Sequence, residues 1–334
     1  MTVAHGTGPL ATRFVHEAVI IETDRDLDML AAELTRAVKL DDGVLVVVGE
    51  RTRAMLAGLA GDLSDAVCWG AQDGFYQRLG FTYERFRRYL SDEHRSGRRA
   101  HVIAEPDLTR GVDAGLRADR VAAYLEYEAI CNRTYALGAS TVTCVWDCRD
   151  HPATVIDHVR ATHPYLVTPA GRTPSSGYLH PERYLADRHH VPMRTPPADV
   201  DHDVCVSEVA ELSGLRGAMG GWATEYRFVA EAREDLVMAV VEVATNGLHH
   251  GGPPVRVRAW HHGGTLLVQC DDAGARPIPV DAGYLRPDPV AAVAGGRGLW
   301  LARQLADVVE VRSEPGRTSV RLHFPRETVP VPSP

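Results

Sequence analysis

The stretch TPAGRTPSSGYLHPERYLADRHHVPMRTPPADV, residues 168–200, separates two parts of the chain that follow different patterns. It holds six prolines, and each proline removes a backbone donor and restricts the residue before it. A long helix or central strand does not run through such a segment. It therefore predicts a linker at 169–202, with one short helix at PERYLADR. At 334 residues the chain also exceeds what one core usually holds, about 250–300 residues. Two domains are expected, at 12–168 and 203–326.

The first half alternates apolar runs with amphipathic stretches: FVHEAVII (14–21), DLDMLAAELTRAVKL, GVLVVVG (43–49), and later STVTCVWD (140–147) followed by PATVIDHVRATHP. Continuous apolar runs separated by helical patterns predict an α/β fold with a mostly parallel sheet and crossover helices. The second half reads differently. VSEVAELSGLRGAMGGWATEYRF predicts a short strand and a helix, AREDLVMAVVEVATNGLHH (232–250) a strongly apolar helix, and PPVRVRAWHHGGTLLVQCDD a hairpin. The hairpin strands alternate as Val255, Val257, Ala259 and Leu266, Val268, Cys270. A further helix and a hairpin closed at EPGR follow, so an α+β sandwich is expected, with helices covering one face of an antiparallel sheet.

Several function classes are excluded. A net charge of −8 argues against direct nucleic-acid binding, and the basic stretch RFRRYL at 85–90 reads as a solvated helix face. No run is apolar enough to span a membrane, and MTVAHGTGPLATRF has no signal-peptide pattern, so a cytoplasmic location is expected. The six cysteines read as free thiols, with Cys144 and Cys148 as strand thiols and not zinc ligands. Lys39 is the single lysine among the 36 Lys and Arg residues, and it follows no glycine-rich loop. A Walker A loop and a protein-kinase strand lysine are both absent.

What remains is a constellation in the second half. Glu242 and Asn246 lie four apart and share a helix face, where they can hold a metal ion and orient a nucleophile. A strand ends in Asp271-Asp272, and a carboxylate there can accept from an exocyclic amine. The glycine-rich turn GGRGL opens a helix whose free N–H groups can hold phosphate. None of these needs a lysine.

On these residues the chain resembles a Bergerat-fold (GHKL) ATPase, in particular the anti-sigma factor serine/threonine kinase branch, with motifs E-x-x-x-N-A-x-x-H-G, D-x-G-x-G and G-x-G-L. They are matched by Glu242-Val-Ala-Thr-Asn246-Gly-Leu-His-His250-Gly251, by Asp271-Asp-Ala273-Gly-Ala275, and by Gly296-Arg-Gly298-Leu299. The resemblance implies ATP and Mg²⁺ as cofactors, Asn246 as the Mg²⁺ ligand, and Glu242 as general base. It further implies Asp271 as the adenine ligand, nucleotide contacts from Gly296, Gly298, Leu299 and Thr318, and a lid at 276–294. In this register alanines 273 and 275 replace the family's glycines, and Arg317-Thr318 stands for a late Gly-Thr pair.

Over roughly 12–168 the first half resembles the MEDS sensory domain, which implies a degenerate RecA-type sheet. After the first strand comes IETDRDLD, with neither glycine nor lysine and with carboxylates that repel phosphate. His16, Glu17, Glu105, Glu128 and Asp147 are the polar residues beside apolar runs. Together the two resemblances imply a signalling regulator in which a sensor for a small-molecule signal controls an ATP-binding anti-sigma module. Its implied partners are a sigma factor, an anti-sigma antagonist phosphorylated on serine, and a second copy in a homodimer. The other reading is a nucleotide-independent interaction switch with a vestigial pocket, which the two alanines favour.

Overall fold

The computed structural model describes residues 14–41, 43–60, 66–109, 111–136, 138–274, 277–287 and 297–326. Two compact units emerge. The first comprises residues up to Phe75 with Arg85–Pro106 and Cys131–Leu179; the second comprises Tyr76–Glu84, Asp107–Ile130 and His180 onward. Segments 76–84 and 107–130, inside the expected first domain, thus fold with the second half. The contacts do not divide at 168.

The first unit is built on a seven-stranded sheet. Its strands are β1 (Val15–Ile21), β2 (Gly43–Val47), β3 (Cys68–Trp69), β4 (Ala100–Ala104), β5 (Thr141–Asp147), β6 (Tyr165–Thr168) and β7 (Gly171–Pro174), in the order β3-β2-β4-β5-β1-β6-β7. Every pairing is parallel except the β6–β7 hairpin. The apolar runs read from the sequence are these central strands, buried on both faces as a parallel sheet requires. Helices α1 (Leu27–Leu40) and α2 (Glu50–Ala60) cover the face that carries Val19, Ile21, Val44, Val46, Ile103 and Val145. Helix α3 (Ala153–Thr162) follows β5.

The stretch expected as linker is more ordered than its composition suggests. Pro169 and Ala170 form a two-residue turn, Gly171 takes a φ of 99°, and β7 pairs with β6 at the sheet edge, where proline is tolerated. The short helix appears where PERYLADR placed it, as Pro181–His189, with proline in its first turn.

The second unit contains a five-stranded antiparallel sheet of β8 (His202–Val206), β9 (Val255–His262), β10 (Thr265–Asp272), β11 (Val308–Glu314) and β12 (Arg317–Pro325), in the order β11-β12-β10-β9-β8. Helices Leu212–Glu225, Ala230–Asn246 and Arg297–Leu305 pack on one face. That face receives Val255, Val257, Ala259, Leu266, Val268 and Cys270, the alternating set read from the sequence. The chain is therefore α/β with a mixed, largely parallel sheet in one unit and an antiparallel sheet under helices in the other. The opposite face of the second sheet carries Trp260 and Leu267, covered by Leu116. Asp113, from the same 107–130 segment, accepts from Thr265 Oγ1 at 2.8 Å and from the amide of Gly264 at 3.2 Å. Among the described residues no helix is long and apolar enough to cross a membrane.

Leu236 lies wholly inside the core of this second sandwich. Leu236→Ala removes its methyl groups and leaves a cavity, which costs about 2–5 kcal/mol. Urea unfolding is expected to show a lower midpoint at an unchanged slope.

Candidate functional site

The helix Ala230–Asn246 presents Glu242 and Asn246 on one side, one turn apart, and then passes into a π-helical turn, Gly247–Gly251. The helix Arg297–Leu305 starts against them. A Cβ added at Gly298 would lie 3.0 Å from Glu242 Oε2 and would overlap Asn246 Nδ2. A carboxylate and a carboxamide thus converge on the backbone of a helix's first turn, whose N–H groups have no partner within that helix. Such a turn attracts an anion, and the two side chains beside it supply an acceptor and a neutral oxygen ligand.

Leu299 places its side chain in the hydrophobic core, so what it offers a ligand is its first-turn N–H. Gly296 and Ala275 lie outside the described residues, as does much of the expected lid. In the described part, 277–287, Gly283 packs against Leu299, and Tyr284 is buried. The Tyr284 hydroxyl donates to Glu126 Oε2 at 2.7 Å, and the Arg303 guanidinium lies 3.8 Å from the centre of its ring. Tyr127 meets the same ring edge-on, with centroids 5.1 Å apart.

Asp271, the expected carboxylate, lies on the sheet face away from the helices. Leu266, Val268 and Cys270 face the helices, so the strand's alternation puts Asp272 on the helix side and Asp271 on the other. Asp272 abuts the π turn, with Oδ2 2.7 Å from where a Gly251 Cβ would stand and 3.3 Å from that of Gly247. Thr318 pairs directly with Asp272 across the β10–β12 ladder and shares its face. Asp271 instead receives Arg258 at 2.6 Å, Gln269 at 2.8 Å and Ser319 at 2.5 Å on the opposite face. These partners occupy it, and the sheet separates it from Glu242 and Asn246.

With Asp272 as the leading carboxylate, the D-x-G pattern also changes register. Gly274 then falls on the first glycine, and it takes a φ of 56°, where a Cβ would meet the Arg317 backbone nitrogen at 2.6 Å. The alanine counted there from the sequence, Ala273, is the intervening residue.

The two carboxyls are held in opposite electrostatic states. Burial pushes Asp271 up, but the hydrogen bonds from Ser319, Arg258 and Gln269 outweigh it and hold the group below the usual carboxylate range. Burial raises Asp272, and the Gly274 amide, 2.7 Å from Oδ1, only partly offsets it.

The polar residues of the first unit are mostly satisfied by the chain itself. Asp26 Oδ2 accepts from the amides of Glu22 and Thr23 at 2.9 and 2.7 Å, and these bonds, the Thr23 amide above all, keep its carboxyl low. The backbone donors after β1 are thus already taken by an internal anion. Glu105 accepts the Gly49 amide at 2.8 Å and is raised by burial. Asp147 is paired with Arg149, which also reaches Asp24 at 2.8 Å. Glu128 is buried, and Glu17 and His16 lie at the sheet's centre.

Two family models match the chain along its length. Residues 205–324 match the histidine kinase-like ATPase domain (HATPase_c_2), and residues 15–164 match MEDS, the methanogen/methylotroph, DcmR sensory domain. The chain therefore joins a MEDS domain to a histidine kinase-like ATPase domain of the GHKL type. The crystal structure of the RsbU and RsbW domains of Rv1364c from Mycobacterium tuberculosis is similar at 18% identity over 39% of this chain and 33% of that one, with a TM-score of 0.28. The SiaB–SiaC complex from Pseudomonas aeruginosa is similar at 12% identity over 37% of this chain and 89% of that one, with a TM-score of 0.30. The match spans about a third of the length of the first of these. No curated protein matches.

The opposite states of the adjacent aspartates predict opposite stability effects. A carboxyl held low stabilises the fold above its ordinary pKa and loses that contribution as the pH falls. A carboxyl held high opposes folding once ionised. At pH 7, Asp271→Asn is expected to lower the unfolding free energy by about 1–3 kcal/mol, and Asp272→Asn to leave it equal or raised. Urea midpoints of the two variants read this directly.

Proposed function

We propose that the chain is a cytoplasmic signalling regulator whose C-terminal domain binds ATP with Mg²⁺ and acts as an anti-sigma-type serine kinase under control of the MEDS domain. The observation that carries this is the meeting of Glu242, Asn246 and Gly298, with Asp272 and Thr318 together on the helix-facing side of the neighbouring strands. The donor set fits the group. Mg²⁺ takes few protein ligands and shares phosphate oxygens, and Asn246 offers one neutral oxygen beside a helix N-terminus that favours phosphate. When bound, Mg²⁺ would neutralise phosphate charge.

In this reading Asp272, with Thr318 beside it, recognises the adenine amine, the role first assigned to Asp271. The N–H groups near Gly298 and Leu299 hold phosphate, together with Gly296. Glu242 accepts the proton of an attacking seryl hydroxyl. Positioning and electrostatics supply most of the rate, as phosphoryl transfer generally requires. The protein substrate is an antagonist presenting a serine, and a sigma factor is the partner held or released.

Control by the first domain is supported by two helices that belong to both units. Leu79–Arg95 and Arg117–Thr134 each begin in the second unit and end in the first. The second of them supplies Glu126 and Tyr127 to the lid residue Tyr284. We also infer that the first domain is a RecA-like sheet that has lost its phosphate loop. Its parallel strands support this, and Asp26 seated on the Glu22 and Thr23 amides fills the place of phosphate.

Calorimetric titration of ATP and Mg²⁺ into the full chain tests the site. Wild type is expected to bind, and Asn246→Ala and Gly298→Ala to weaken binding by at least about tenfold, equivalent to ~1.4 kcal/mol. No binding by folded wild type at millimolar ATP would remove the nucleotide reading and leave the interaction switch.

A further inference from the structure

The seven-stranded unit buries a cluster of titratable side chains on each face of its sheet. On the α1 side Glu17, Glu33 and His101 lie together. Arg172 pairs with Glu17, Arg36 pairs with Glu33, and Thr143 donates to Glu17 at 2.8 Å. Cationic partners already balance these carboxylates, and an ion-pair network accounts for the cluster.

The opposite face is chemically different. His16 on β1 and Cys144 on β5 come side by side because Ala18 pairs with Cys144, which puts all three on one face of the parallel pair. His163, the residue that ends helix α3, joins them. The three are 1%, 2% and 0% exposed, and their ligand-capable atoms lie within 4.8 Å of one another.

The surrounding hydrogen bonds decide which nitrogen of each ring carries a lone pair. Asn132 donates its Nδ2 to Thr162 O at 2.8 Å, so it presents Oδ1 to His16 Nδ1 at 3.1 Å. An amide oxygen only accepts, so Nδ1 of a neutral His16 is protonated and the lone pair falls on Nε2. His163 is fixed in the same way. Its Nδ1 donates to the carbonyl of Val159 at 2.8 Å, which leaves the lone pair on Nε2. Imidazoles held by an Nδ1–H to an amide or backbone oxygen are how proteins orient metal-ligating histidines.

The spacing agrees. Bonds of about 2.3 Å to sulfur and 2.05 Å to nitrogen at a tetrahedral zinc put the two donors about 3.6 Å apart. Cys144 Sγ and His16 Nε2 are 3.5 Å apart. Cys131 is a less suitable donor, because its sulfur lies 3.4 Å from Nδ1 and 3.6 Å from Nε2 and so sits against the ring, not along the Nε2 lone pair.

We propose that His16 Nε2, His163 Nε2 and Cys144 Sγ form a buried site for a divalent cation of the zinc class. Two imidazoles and one thiolate are a borderline-soft set that suits zinc over magnesium or calcium. Binding releases the thiol proton. Cys144, expected from the sequence to be an inert strand thiol, becomes the anionic ligand.

Co²⁺ titrated anaerobically into the reduced full-length protein provides the test. Wild type is expected to develop a thiolate-to-cobalt charge-transfer band with intense tetrahedral visible absorption, saturating at one equivalent and displaced by Zn²⁺. Cys144→Ser should remove the charge-transfer band, while Cys131→Ser and Cys148→Ser keep it. Asn132→Ala retains every ligand and frees only the His16 ring, so it should weaken affinity roughly 10–100-fold with the band still present at saturation. A wild type without the band, a band that survives Cys144→Ser, or an unchanged affinity in Asn132→Ala would overturn the site.

Discussion

The candidate nucleotide site depends on one missing side chain. At Gly298 the backbone of a helix's first turn comes so close to Glu242 and Asn246 that a single methyl group would occupy their space. Only with that position bare do an acidic side chain, an amide side chain and a set of free N–H groups meet. The same proximity explains why the site needs no lysine. In the proposed site, phosphate charge would be met by backbone donors and a helix N-terminus, and the single lysine of the chain lies elsewhere.

The helix that starts at Arg297 is held from its far end as well. Arg303 lies buried between the rings of Tyr284 and Tyr127, and Arg120 pairs with Asp307 at 2.9 Å just beyond the helix. Buried charges of this kind are costly unless fully partnered, and here each has an aromatic face or a carboxylate. Glu126, Tyr127 and Arg120 come from the 107–130 segment, so a stretch of the MEDS match helps to fix the helix that opens the site. Burial that raises Asp272, set beside hydrogen bonds that lower Asp271, is the electrostatic counterpart. One carboxylate serves the fold, and the other is kept at a cost that a bound ligand would repay.

Much of this was legible in the sequence, for identifiable reasons. The apolar runs of β1, β2 and β5 and the alternation of β9 and β10 reflect burial, which composition records directly. The pairing of Glu242 with Asn246 follows from helical spacing alone. Which of the two aspartates faces the helices was also legible, because Leu266, Val268 and Cys270 set the helix-facing parity and Asp272 continues it. Motif matching favoured Asp271 because two aspartates stand side by side. What a linear reading had no means of finding was long-range. The packing of 107–130 into the second unit joins residues over 150 positions apart, as in Asp113 with Thr265. The convergence of His16, Cys144 and His163 needs the β1–β5 register, which composition does not encode. The edge strand β7 was hidden by its glycine and proline.

In the proposed function the helix-facing aspartate, and not its neighbour, belongs to the nucleotide site. The most direct measurement is the affinity of the full chain for ATP with Mg²⁺ in Asp271→Asn and in Asp272→Asn, each compared with wild type. Asp272→Asn is expected to lose at least about tenfold in affinity, ~1.4 kcal/mol, while Asp271→Asn, once shown to be folded, is expected to bind like wild type. Loss of binding in Asp271→Asn with retention in Asp272→Asn would overturn the assignment of Asp272 to the site.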